Sequence, residues 1–65
     1  MKLIVNGETT DVRAETLAGL LVELDYEGRW LATAHNGDVV PATCRAACSL
    51  VEGDRIEILA PMKGG

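Results

Sequence analysis

The chain has 65 residues, enough for one domain, and a domain this small buries only about 60 % of its unfolded surface, which leaves little room for a deep catalytic cleft. Ten acidic residues against six basic ones, a net charge of −4, argue against nucleic acid, whose phosphates need clustered Lys and Arg. No apolar run is long enough to cross a membrane and no charged-then-apolar leader precedes the first strand pattern, so the protein is expected in the cytoplasm with reduced thiols.

Lys2-Leu3-Ile4-Val5 is a β-favouring run directly before Asn6-Gly7. Asn-Gly is a strong hairpin signal, because both central positions of a type I′ turn need φ > 0. Glu8 to Val12 should return as a second strand, with Leu3, Val5, Thr10 and Val12 on one face and Ile4 and Thr9 on the other. The period then changes. Leu17, Leu20, Leu21 and Leu24 fall at helical spacing and form one apolar stripe. Thr16 is placed to cap the helix, and Glu15 stands near the positive end of its dipole. Gly19 costs about 1 kcal/mol against alanine, which close approach to a strand would offset. The helix should end over Asp25-Tyr26-Glu27-Gly28, with Gly28 as the left-handed residue.

Trp30 to His35, Asn36-Gly37 and Asp38-Val39-Val40 read as a third strand, a tight turn and a short fourth strand stopped by Pro41. Ala32 and Ala34 should share one face, and Leu31, Thr33 and His35 the other. His35 could titrate or bind a metal, but no second ligand or nucleophile lies at a recognisable spacing, so it reads as a half-buried residue with a local hydrogen bond. Ala42 to Ser49 reads as a turn or 3₁₀ segment that carries Cys44 and Cys48 and leaves Arg45 in solvent. The C-x3-C spacing suits neither a four-ligand zinc site nor the tighter C-x-x-C of a redox dithiol, so both cysteines read as packing or surface residues. No metal site and no catalytic side chain is expected.

Glu52-Gly53-Asp54 suits a turn with glycine at positive φ. After it, Ile56 and Ile58 alternate with Arg55 and Glu57 as a strand with one buried face. Leu59 should then lie on the outer face with Ile4 and Ala34, three apolar residues that would mark a patch for a protein partner. Pro61 ends the pairing, which divides the chain into a domain over 1–60 and a tail over 61–65. The tail closes on Met62, Lys63, Gly64 and Gly65, a thin segment without Cβ atoms at its last two positions and with one reactive group, a terminal carboxylate.

The order of elements suggests an α+β fold: a mixed four- to five-stranded sheet with one helix across one face, the first and last strands parallel at its centre. That is a β-grasp, or ubiquitin-like, roll. The chain resembles the ThiS family, the ubiquitin-like sulfur carriers of thiamine thiazole biosynthesis. The resemblance runs the full length, through Val5-Asn6-Gly7, Thr16-Leu17 with Leu20-Leu21 and Leu24, Asn36-Gly37 followed by Val39-Val40-Pro41, Glu52 to Ile58, and Gly64-Gly65. It departs from the family pattern at Thr33 and His35, where aliphatic residues are usual, and at Cys44 and Cys48.

The resemblance implies a carrier and not an enzyme, with no resident cofactor. An adenylyltransferase of the ubiquitin-activating (ThiF) type would spend ATP to adenylate Gly65. Sulfur from cysteine, supplied by a donor such as a cysteine desulfurase, would convert the adenylate to a thiocarboxylate for a thiazole synthase of the ThiG type. Gly64, Lys63 and Met62 would contact the partner's tunnel. The same fold and tail would also serve a sulfur carrier for molybdopterin, a ubiquitin-like modifier attacked by a lysine amine, or a non-reactive β-grasp binding module.

Overall fold

Both Asn-Gly pairs take the backbone that the sequence predicts. Asn6 and Gly7 have φ of 50° and 85°, and Asn36 and Gly37 have 51° and 90°. Each closes a two-residue hairpin loop, a geometry that matches the right-handed twist of the flanking strands. In the computed structural model, which describes residues 1–26 and 30–60, the first turn joins β1 (Lys2–Val5) to β2 (Glu8–Asp11) and the second joins β3 (Ala32–His35) to β4 (Asp38–Val40). A fifth strand, β5 (Arg55–Leu59), runs between the hairpins to give the order β2-β1-β5-β3-β4. It is parallel to β1 and antiparallel to β3. This is the mixed β-grasp sheet expected, with the first and last strands adjacent.

Helix α1 covers Leu17–Glu23. Thr16 caps it, its hydroxyl accepting from the Gly19 amide at 3.1 Å. Leu17, Leu20 and Leu21 are buried in one cluster with Leu3, Val5, Ile56 and Ile58 from the inner face of the sheet. Each such burial contributes roughly 1.5–3 kcal/mol. The helix is also tied to its own lead-in, since the Glu23 carboxylate accepts from the amides of Arg13 and Ala14.

Two expectations about this helix change. A Cβ at Gly19 would meet Thr16 Oγ1 at 3.3 Å and the Ala14 methyl at 3.5 Å. The close approach is therefore to the helix's own entry, not to a strand. The left-handed residue at the far end is Asp25, with φ 64°; Gly28 lies outside the described residues. The Tyr26 amide donates to Leu21 O and the Asp25 amide to Val22 O, at 2.9 and 3.1 Å. Together they make a complete Schellman ending, with aspartate tolerated where glycine is usual.

Pro41 leads into a 3₁₀ helix over Ala42–Ala47. Leu50 then anchors the return, and Gly53, at φ 87°, turns the chain into β5. Among the described residues no helix is long and apolar enough to cross a membrane.

Candidate functional site

The strand that leads to the tail is paired on both flanks. Ile56 and Ile58 are buried, while Arg55, Glu57 and Leu59 face outward. On one flank β3 pairs with β5 as far as Ala32 opposite Leu59. On the other, β1 pairs only at Ile4–Arg55 and Val5–Ile56. Beyond that point β1 has turned away, and the side chain of Asn6 takes over. Its Oδ1 accepts from the Ile58 amide at 2.8 Å, and its Nδ2 donates to Ile58 O at 3.2 Å. Gly65, expected to carry the chemistry, and Gly64, Lys63 and Met62, expected to contact the partner's tunnel, lie outside the described residues.

Leu59 is 71 % exposed. It shares a shallow apolar groove on the outer face with Ala32, Ala34 and Val39, and Glu57 forms a polar edge. Of the three residues singled out for docking, the structure therefore brings Leu59 and Ala34 together. Ile4 is on the same face but opposite Arg55, four positions along β5 from Leu59. Val39 is 79 % exposed, and Trp30 is 77 % exposed. Val39 was legible in the sequence, because a two-residue Asn36-Gly37 loop forces it opposite Ala34, as observed. Trp30 falls two residues before Ala32, toward the end of the sheet where β5 finishes.

The opposite end of β5 holds a polar cluster. His35 Nε2 lies 2.7 Å from Asp54 Oδ2, and Asn36 Nδ2 donates to Asp54 Oδ1 at 3.1 Å. The Val51 amide also donates to Asp54 Oδ2, at 3.0 Å, and the Arg55 amide donates to Asn36 Oδ1 at 2.8 Å. Burial of Asp54 would raise its carboxyl pKa. The hydrogen bonds from His35, Val51 and Asn36, and the charge of His35, outweigh that and hold it below the ordinary value. His35 is half-buried as expected, but its partner comes from a turn 19 residues away and is not local.

Arg45 is a correction. The sequence reading leaves it in solvent, yet it is only 8 % exposed. Its Nη2 donates to Leu31 O at 2.6 Å and its Nε to Thr33 Oγ1 at 3.1 Å, while the Thr33 hydroxyl donates to Val40 O at 2.8 Å. The alanine-rich 3₁₀ turn lays the guanidinium under β3, where it satisfies the polar residue on that strand's inner face. Cys44 is exposed and Cys48 half-buried, both free. Burial, then the negative charge of Asp54, then Cys44, push the Cys48 thiol pKa up, the opposite of what a reactive thiolate needs. Among the described residues, no group of three or more His, Cys, Asp or Glu could hold a metal ion.

Comparison with known proteins adds family and relatives to this geometry. A model of the ThiS family matches residues 3–65. A thiazole synthase from Paramagnetospirillum magneticum is 38 % identical over 66 residues, an alignment that covers all of this chain and 20 % of that protein. The chain thus spans about a fifth of the length of the curated relative it matches. The crystal structure of the thiamine biosynthesis protein ThiS from Geobacter metallireducens superposes with a TM-score of 0.81 at 32 % identity, over the whole of both chains. A solution structure of a thiamine biosynthesis protein from the same organism gives 0.83 at 32 % identity, over all of this chain and 88 % of the other.

Proposed function

Since the chain belongs to the ThiS family, we propose that it is a sulfur carrier for thiazole formation and that Gly65 is where the sulfur is held. The observation that carries the reading is the extent of the family match, which runs through Gly64 and Gly65. A carboxylate is a poor electrophile because its leaving group would be oxide. Attack of the Gly65 carboxylate on the α-phosphorus of ATP, in a partner adenylyltransferase, releases pyrophosphate and gives an acyl-adenylate. The terminal sulfur of a persulfide derived from cysteine, carried by a desulfurase, then displaces AMP to give an acyl disulfide, and a second thiol cleaves its S–S bond, leaving the C-terminal thiocarboxylate and a disulfide. The carrier supplies no catalytic side chain and keeps no cofactor; ATP is spent by its partner.

Thiazole synthase is the acceptor this reading favours, supported by a protein of that name that contains a segment like this chain. The groove of Ala32, Ala34, Val39 and Leu59 beside the root of the tail offers apolar surface for docking. The net charge of −4 suits partners with a basic face.

The test is intact-mass analysis after incubation with ATP, a ThiF-type adenylyltransferase and a cysteine-derived sulfur donor. The expected product is heavier by the exchange of one oxygen for one sulfur, with the change confined to the C-terminal peptide. Deleting Gly65 should abolish the gain and leave the circular dichroism spectrum unchanged. Sulfur loading that survived the deletion would rule out the carboxylate assignment.

A further inference from the structure

A carboxamide side chain carries the same donor and acceptor as a peptide group. Asn6 uses it as one. Its backbone amide donates to Ile56 O at 2.9 Å, the last backbone rung between β1 and β5. Its side chain then supplies both partners for the next inward-facing peptide groups, the N–H and C=O of Ile58. The chain can do this because Asn6 sits at φ 50°, a left-handed conformation that asparagine tolerates and that turns the backbone away while the side chain stays beside β5. β5 is consequently held on both flanks here, by Asn6 on one and on the other by β3, which pairs with it as far as Ala32 opposite Leu59. Seven residues, 59–65, follow Ile58 in the sequence, and seven residues reach at most about 25 Å. Where the strand is gripped therefore sets the point from which those residues start.

We infer that Asn6 is a positioning residue for the transfer chemistry at Gly65, acting as a surrogate strand that fixes where β5 ends and the tail begins. The inference deepens the sulfur-carrier reading and rests on it. Without the clamp, the β1 flank of β5 is last held at Ile56, two residues earlier, and the freed backbone must be re-ordered each time a partner engages the tail. Fixing one residue's backbone corresponds to roughly a tenfold change in an equilibrium.

The decisive comparison uses Asn6→Gly and Asn36→Gly. Glycine keeps the positive φ of either turn and removes only the side chain. Each variant loses two hydrogen bonds to the segment Asp54–Ile58, at its tail end for Asn6 and at the far end for Asn36. In Asn6→Gly the Ile58 amide should exchange with solvent at least about tenfold faster relative to the Leu20 amide. Adenylation should show a KM for the carrier raised about tenfold, with kcat unchanged. Asn36→Gly should leave both readouts at the wild-type value. Asn6→Asp, which keeps the acceptor for the Ile58 amide but sets a carboxylate against Ile58 O, should fall between. Unchanged Ile58 exchange in Asn6→Gly, or an equal KM increase in both glycine variants, would overturn the positioning role while loading of the wild-type chain proceeds. A wild-type chain that is never loaded would instead overturn the sulfur-carrier reading, and the positioning role with it.

Discussion

The two Asn-Gly turns are alike in sequence and backbone, yet they grip β5 differently. Asn36 works inside a network: it holds the Arg55 amide and Asp54, and Asp54 also takes His35 and the Val51 amide. The Asn6 side chain works alone, bonding the N–H and C=O of one residue of β5. Shared hydrogen bonds reinforce one another and are costly to break singly. The far end of the strand is thus held through a shared network, whereas on its β1 flank the tail end is held by one side chain.

Substitutions can break that contrast or sharpen it. The largest effect belongs to Leu21→Ala, which empties part of the shared core and should lower unfolding free energy by about 2–5 kcal/mol, read from urea denaturation. It loosens both ends together and so calibrates the rest. Asp54→Ala removes the centre of the network and should cost about 2–4 kcal/mol, more than either asparagine variant, because the Val51 amide and His35 lose their acceptor.

Acid should separate the two ends without any mutation. The Asp54 carboxyl pKa is lowered from an ordinary 3.8, so the folded state binds that proton less readily than the unfolded chain does. Its contribution is complete above about pH 4 and is lost as pH falls through the folded pKa. Amides near Val51 and Arg55 should lose protection first in that range, and Asp54→Asn should remove this part of the acid dependence. Asp25→Gly relieves the left-handed aspartate at the helix end and should stabilise by about 0.5–1 kcal/mol, seen as a raised Tm. The smallest effect is expected from the double change Cys44→Ser and Cys48→Ser, which should leave sulfur loading at the wild-type rate; complete loss would give the thiols a role.

The framework was legible because local rules dictated it. Asn-Gly fixed both hairpins, the leucine spacing fixed the helix, and alternation fixed which isoleucines of β5 are inside. The polar interior was not, although it left a trace. Thr33 and His35 both fall on the inner face of β3, and a polar group on a buried face requires a partner. Sequence order cannot say which partner. Arg45 and Asp54 lie 12 and 19 residues further on, in segments whose composition reads as solvated turn. Asn6 hides its second role in another way: turn chemistry is sufficient reason for its presence, and the other use of its side chain shows only once β5 lies beside it.

The pairing of β1 with β5 has a consequence for synthesis. Residues about 50 apart meet there, so the middle of the sheet stays open until Arg55–Leu59 has been made. Contacts this distant in the chain form late and slowly. A polypeptide cut short before β5 would offer two hairpins and an unsupported helix, with no centre strand to join them. On the carrier reading proposed above, an adenylating enzyme that recognises the assembled face would pass over such fragments, and only a chain translated through β5 would be loaded.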